Sequence, residues 1–498
     1  MQRLSLKNTY LTTIAIMLVL FATVFITIPS ASNAGDIVAY RGTFLDMVGD
    51  PWIVEDQAES ARFISDGLMV VKDGKIVAFG DYSALKLKYP NVNIVTFEDS
   101  LIVPGFIDGH IHFPQTRVLG AYGAHLLDWL QQSIFPEEKK YENPEYAQEA
   151  AVKFYDILLA NGTTTVQSFL TTSGESVEAF FDEATKRNMR VIGGYTSIDV
   201  HAPDYYKDTP EKFYDISTKY INKYHNQGRN LYAITPRFAY GSDRKDMEMA
   251  GKLKKECPDC WVNTHLSETP FEIRGVLEMY PEAKDYLAVY EEFGLVGPKF
   301  SGGHSVYVSD DGFRRMSESG AAAVFCPSSN LFLGSGLFRL GKVTDPAQKV
   351  PVAIGTDVGG GNYFSLFQVL NEVYKVGMLN NLVLEGALDP RQKNEPEALR
   401  NKVSAYRGLY LATLGGAKAL YLDQWIGNFE PGKEADFVVL DLDSGPMQMA
   451  WHQSLYGGPG APKTKEDAAN KFFSLIAIGD DRNVDKTYIA GKLAYEKK

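Results

Sequence analysis

The sequence predicts an α/β protein: a (β/α)8 barrel framed by β-rich chain ends. Three observations carry this. First, eight short apolar runs alternate with longer helical patterns, as in a parallel sheet covered by helices. The runs are Leu101 to Asp108, Thr163 to Phe169, Arg190 to Ser197, Leu231 to Arg237, Cys260 to His265, Lys299 to His304, Ala321 to Cys326 and Val352 to Asp357. Second, both ends read as turns feeding strands. Leu68 to Gly80 forms two strand runs around Asp73-Gly74, and Gly427 to Leu440 and Val484 to Lys492 repeat the pattern. Third, reactive side chains close many of the runs, as they do at the C-terminal mouth of a barrel. A doubly wound open sheet is the alternative, but no Gly-x-Gly-x-x-Gly follows the first run.

The chain has 498 residues, 45% hydrophobic and 22% charged, enough for a sizeable core and without a disordered bias. A formal charge of -12 argues against a nucleic acid polymer or an anionic membrane as partner, since phosphate binding needs a basic face. At the start, Arg3 and Lys7 precede the apolar stretch Leu11 to Ile28, and a small-residue run ends at Ser32-Asn33-Ala34. That pattern predicts an export signal, residues 1–34, cut after Ala34, and a secreted or periplasmic protein. The stretch is long for a cleaved signal, so an uncleaved membrane anchor is the rival reading. Cleavage would bring the charge to -14, because the segment carries only Arg3 and Lys7 (-12 minus 2). Cys257 and Cys260 could be joined, be a redox pair or be two separate thiols. They precede a strand, which in a barrel puts them opposite the active face.

Of the eight histidines, four end predicted strands. His110 and His112 stand at i and i+2, so both imidazoles face one side of the strand. His265, His304 and Asp357 close the fifth, sixth and eighth runs. Three or four imidazoles with one carboxylate suit zinc or another borderline cation and leave room for a water, whose pKa a metal can bring down to roughly 7. Singly, each histidine could be a core or loop residue; four histidines and one aspartate at the ends of four strands argue for a metal centre. Glu268, three residues after His265, suits proton transfer better than ligation, with a helix N-terminal acid as the plainer alternative. Gln115 and Arg237 end or follow strands on the same face. A donor-acceptor amide and a rigid fork of donors fit a planar heterocycle, or could simply anchor loops. Phe238 could stack on such a ring or fill the core.

The stretch Pro104-Gly105-Phe106-Ile107-Asp108-Gly109-His110-Ile111-His112-Phe113-Pro114-Gln115 resembles the first-strand motif of guanine deaminases, and its Pro-Gly-Phe-x-Asp-x-His-x-His core is shared across the amidohydrolase superfamily. The resemblance continues through Thr235 to Phe238, Thr264 to Glu268, Gly303-His304, Cys326 to Asn330, Gly355 to Gly360 and Leu411 to Gly416, and covers the chain from about Gly35 onward. It implies a barrel (104–423) with a small β-sandwich made from both chain ends (35–103 and 424–498). It implies one zinc per subunit, held by His110, His112, His265 and Asp357 with His304 also at the metal, and a purine ring held by Gln115, Arg237 and Phe238. The implied reaction is hydrolytic deamination of guanine to xanthine and ammonia, with Glu268, Asp357 and His304 as the catalytic residues; a homodimer is compatible with the resemblance, although no residue pattern marks an interface.

Neither the second nor the fourth run offers a lysine that could bridge two metals, so one metal is expected. Cys257 and Cys260 lack the His-x-Glu and preceding proline of the other zinc deaminase class. The runner-up is a hydrolase or deaminase of another heterocycle, such as an oxidised purine, a pterin or a triazine. A reading of a different class is a non-catalytic binding protein on the same fold, which the retained ligand set argues against. The export signal departs from the cytosolic habit of the family.

Overall fold

The computed structural model describes residues 37–122, 126–383 and 396–498. The expected export segment, residues 1–34, lies outside the described residues. Among the described residues no helix is long and apolar enough to cross a membrane.

Four strands open the chain: β1 (Ile37–Met47), β2 (Ala61–Lys72), β3 (Lys75–Asp81) and β4 (Asn93–Pro104). β2 and β3 form the hairpin read from the sequence, and its turn residues Asp73 (φ 53°) and Gly74 (φ 78°) both take the left-handed conformation that a two-residue hairpin turn requires. The barrel follows with β5 (Phe106–His112), β6 (Thr163–Phe169), β7 (Arg190–Gly194), β8 (Thr196–Ser197), β9 (Asn230–Pro236), β10 (Trp261–Leu266), β11 (Phe300–His304), β12 (Ala322–Phe325) and β13 (Val352–Ile354). Their pairings are parallel, in the order β13-β12-β11-β10-β9-β7-β6-β5, with β8 a short extension beside β9. Helices fill the connections, such as Pro144–Ala160, Pro210–Tyr224 and Arg244–Glu256. The ring closes where Asp357 N–H donates to His110 O at 2.8 Å and His112 N–H donates to Val358 O at 3.3 Å.

Three of the eight runs are redrawn. Leu101 to Asp108 is not one strand but the end of β4 and the start of β5. At Gly105 the chain passes from one sheet to the other: its N–H bonds Asp436 O and that of Phe106 bonds Gly162 O, both at 3.0 Å. Both halves are buried and apolar, so hydrophobicity alone cannot mark the break. Arg190 to Ser197 is interrupted at Tyr195, and the last run ends at Ile354, leaving Asp357 on a loop.

At the far end, β14 (Phe437–Asp441), β15 (Val484–Ile489) and β16 (Lys492–Glu496) join the first four strands in one mixed sheet, ordered β16-β15-β14-β4-β1-β2-β3. The sheet curls onto itself. Tyr40 and Tyr488 belong to strands three positions apart, about 14 Å on a flat sheet, yet their ring centroids are 5.2 Å apart. Ile76 N–H to Lys433 O (2.8 Å) and Gly432 N–H to Ile76 O (2.7 Å) tie β3 to the segment entering β14. Tyr40, Phe44, Met69, Ile102, Phe437 and Tyr488 fill the enclosed core. This is the composite β domain that the chain ends predict.

A buried ion cluster couples it to the barrel floor. Arg229, just before β9, donates to Glu434 (2.6 Å) and to Asp436, and Arg190 at the start of β7 donates to Glu434 (2.9 Å). Replacing Arg229 by Met strands buried carboxylates, and we expect a loss of about 3–5 kcal/mol, read as a lower midpoint in chemical denaturation. Cys257 and Cys260 are joined in a disulfide, before β10 and so opposite the barrel mouth.

Candidate active site

His110 and His112 project from the end of β5 on one face, as their i, i+2 spacing requires. His265 enters from β10 and Asp357 from the loop after β13. One ligand atom from each of the four lies within 4.8 Å of the other three. His112 Nε2 is 3.1 Å from Asp357 Oδ1 and 3.2 Å from His265 Nε2, and His110 Nε2 is 3.4 Å from the same carboxylate oxygen. His265 Nδ1 faces the carbonyl of Arg237 at 2.7 Å and must donate to it, which leaves a lone pair on Nε2. Both ring nitrogens of His110 and Nδ1 of His112 are buried without a partner among the described residues. Burial lowers the pKa of His112 and takes that of His265 well below the usual histidine range, the neighbouring imidazoles adding to it. Neutral imidazoles converging on a carboxylate with unspent lone pairs fit a divalent metal of the zinc type.

The close approach depends on small residues and on backbone forced into rare conformations. A Cβ on Gly303 would stand 2.3 Å from His110 Cε1, and one on Gly355 would stand 2.6 Å from His110 Cβ. Ser267, His304, Ser305 and Asp357 all have φ between 49° and 65°. Non-glycine residues adopt this region at a cost on the order of 1 kcal/mol or more each, and here surrounding bonds such as Asp357 N–H to His110 O hold them in it.

Beside the quartet, His304 Nε2 lies 3.5 Å from Glu268 Oε2 and 3.7 Å from Asp357 Oδ2. The Asn330 amide nitrogen lies 2.9 Å from His304 Nδ1; with Nδ1 accepting, the ring proton sits on Nε2 and points at the two carboxylates. His304 thus has the opposite polarity to His265. Burial takes its pKa down to about 3. Glu268 is buried and accepts from Ser335 Oγ at 2.8 Å. Burial, with the charges of Glu272 and Asp357, raises its pKa well above the ordinary carboxylate value. Asp357 goes the other way. Burial alone would raise it, but the adjoining His110 and His112 imidazoles hold it well below the usual range.

Gln115, Arg237 and Phe238 line the same cavity as His112, His265 and Asp357. Trp129, Leu130 and Leu333 supply its apolar wall. All six residues that the sequence marks for metal binding or proton transfer therefore meet at one mouth, and the three it marks for holding a ring line the same cavity.

The chain matches the Amidohydrolase family over residues 101–494. It is 43% identical to the guanine deaminase of Escherichia coli K12 over 467 residues, 94% of this chain and 99% of that protein. The chain belongs to the guanine deaminases of the amidohydrolase family. Among solved structures of that family, the guanine deaminase from Bradyrhizobium japonicum superposes with a TM-score of 0.91 at 57% identity, covering 93% of this chain and 100% of the other. The guanine deaminase from C. acetobutylicum, solved with guanine bound in its active site, gives 0.77 at 26% identity over 92% and 100%. The family is metal dependent.

Sequence reasoning passed over Glu138, which is fully buried behind Gln115 and Arg237. Its carboxylate accepts from Gln115 Nε2 at 2.8 Å, from Arg237 Nη1 at 3.0 Å and from the Tyr206 hydroxyl. Glu138 lies in Glu137-Glu138-Lys139-Lys140, a charged tetrad that reads as solvated surface. Ser335, between two glycines, carried no signal either.

Proposed function

We propose that this protein hydrolyses guanine to xanthine and ammonia with one zinc ion held by His110, His112, His265 and Asp357. The observation that carries this reading is one cavity that holds a buried three-histidine, one-carboxylate cluster, a buried glutamate beside it whose pKa burial raises, and the Gln115–Arg237 pair. When bound, the metal supplies Lewis acidity that lets a water act as a nucleophile near neutral pH.

Gln115 and Arg237 hold the ring so that its amino-bearing carbon faces Asp357 and Glu268, with Phe238 against the ring. Asp357 takes a proton from the attacking water, and His304 Nε2–H donates a hydrogen bond to the water oxygen. Glu268 gives its proton to the ring nitrogen next to the reacting carbon as the new C–O bond forms. The amine leaves with the proton first taken from the water. Glu268 recovers a proton from the new hydroxyl as the carbonyl forms, so the protein ends as it began and one water is consumed per ammonia.

The reading also includes export, with the first 34 residues removed. Arg3, Lys7 and the apolar stretch that follows support it, and the Cys257–Cys260 disulfide is the kind of bond an oxidising compartment preserves. N-terminal mass analysis of protein from a periplasmic extract tests this; an N-terminus at Met1 in the cytosol would refute it.

The activity is tested by ammonia release from the zinc-loaded mature protein on guanine, 8-oxoguanine, adenine, cytosine, pterins and aminotriazines. Guanine is expected to give the highest kcat/KM. Turnover of another member alone would leave the metal chemistry and overturn the substrate.

A further inference from the structure

We propose that Glu138 is the specificity-determining residue of this pocket, fixing the hydrogen-bond polarity of Gln115 and Arg237 so that they read a lactam edge, N–H beside C=O. The proposal rests on the guanine reading above and names the part of the base that is recognised.

A primary amide can present either its oxygen or its nitrogen to a ligand, and rotation about its last bond exchanges them. Glu138 removes that freedom for Gln115. A carboxylate accepts hydrogen bonds and offers none, so the side of Gln115 that touches Glu138 Oε1, at 2.8 Å, has to be the Nε2 side. The amide oxygen is then turned to the other side, where it lies against Gly359; a Cβ there would be 3.1 Å from Oε1. Arg237 is fixed by the same carboxylate. Its Nη1 lies 3.2 Å from Oε1 and 3.0 Å from Oε2, while Nε and Nη2 have no protein partner among the described residues.

The pocket wall therefore presents an acceptor from Gln115 beside donors from Arg237. The complement is a ring N–H adjacent to a carbonyl. Guanine has that edge at its pyrimidine N–H and 6-oxo group. A 2-aminopurine lacking the oxo group carries the same leaving amine, but offers a bare ring nitrogen to the Gln115 oxygen and nothing for Arg237 to bond. Two facing acceptors and an unused buried cation disfavour that base. Tyr206 adds a third donor to Glu138 and Phe135 covers Arg237, with the guanidinium 5.6 Å from its ring, so the clamp is built into the cavity floor and does not wait for the ligand.

The test compares kcat and KM for ammonia release from guanine and from 2-aminopurine, using the metal-loaded protein. In Glu138→Gln the new amide can give an N–H to the Gln115 oxygen, so Gln115 is free to turn and show donors to the pocket. The guanine:2-aminopurine ratio of kcat/KM is expected to shrink by roughly tenfold or more, with most of the change in KM for guanine and an unchanged metal content. An equal loss on both substrates would mean that Glu138 only supports the fold and would overturn the proposal. Gln115→Leu provides a second reading in which the Glu138–Arg237 pair stays intact: it too should narrow the ratio, and full discrimination in that variant overturns the proposal even if Glu138→Gln does not fold. A wild-type protein that releases no ammonia from guanine sinks the functional reading, and this inference with it. One that deaminates guanine and 2-aminopurine equally well sinks this inference alone.

Discussion

Glu268→Gln is expected to lower kcat for ammonia release by about 10²–10⁴-fold while the metal stays bound. Gln keeps the size of the side chain and can still bond Ser335 Oγ, so the local packing has no reason to change. The proton is what disappears. Glu268 is buried and lies near Glu272 and Asp357, which together make it release a proton less readily than an ordinary glutamate. An amide in its place can donate a hydrogen bond to the ring nitrogen but cannot transfer a proton or take one back. Turnover and metal content measured on the same preparation decide the point; near-normal turnover would remove Glu268 from proton transfer, and lost metal would show that it supports the ligand cluster.

The second large effect is expected for Asp357→Asn. This carboxylate is the one anionic member of the quartet, and it collects His110, His112 and His304 within 3.1 to 3.7 Å. Replacing it by a neutral amide removes both the charge that attracts a cation and the base that accepts the water proton. We expect metal occupancy to fall and kcat to drop by roughly three orders of magnitude, about 4 kcal/mol. Thermal unfolding gives an independent readout. Metal added to the wild-type apoprotein should raise its Tm by mass action, since only the folded chain assembles the site, and the variant should show little of this gain. A variant that binds metal and turns over guanine like the wild type would place the cation elsewhere.

Much of the barrel was legible because parallel strands buried on both faces appear as plain apolar runs. Much of the site was legible because its side chains sit at the ends of those runs. His110 and His112 are the clearest case: alternation along β5 alone puts them on one face. Limits arise where an outcome depends on tertiary context. Leu101 to Pro104 and Phe106 to Asp108 look alike because both are core, although one belongs to the composite sheet and the other to the barrel. Glu138 looks like a surface residue because charge patterning reports how a segment usually meets water, not which cavity it closes. His265 and His304 look equivalent in sequence; their hydrogen-bond partners, Arg237 O and the Asn330 amide, separate a lone pair from a donor.

The interleaved sheet has a consequence for how this protein acquires its site. β4 pairs with β14, and β4 runs through Gly105 straight into the strand that carries His110 and His112. The first barrel strand is thus braced by residues more than 300 positions later in the chain, Phe437 against Pro104 among them. Such distant pairing is slow to form, since a long loop must close before any contact rewards it. A chain still being synthesised therefore has no braced metal site until its last strands arrive, and assembly of the catalytic mouth becomes a late event, reserved for the finished polypeptide.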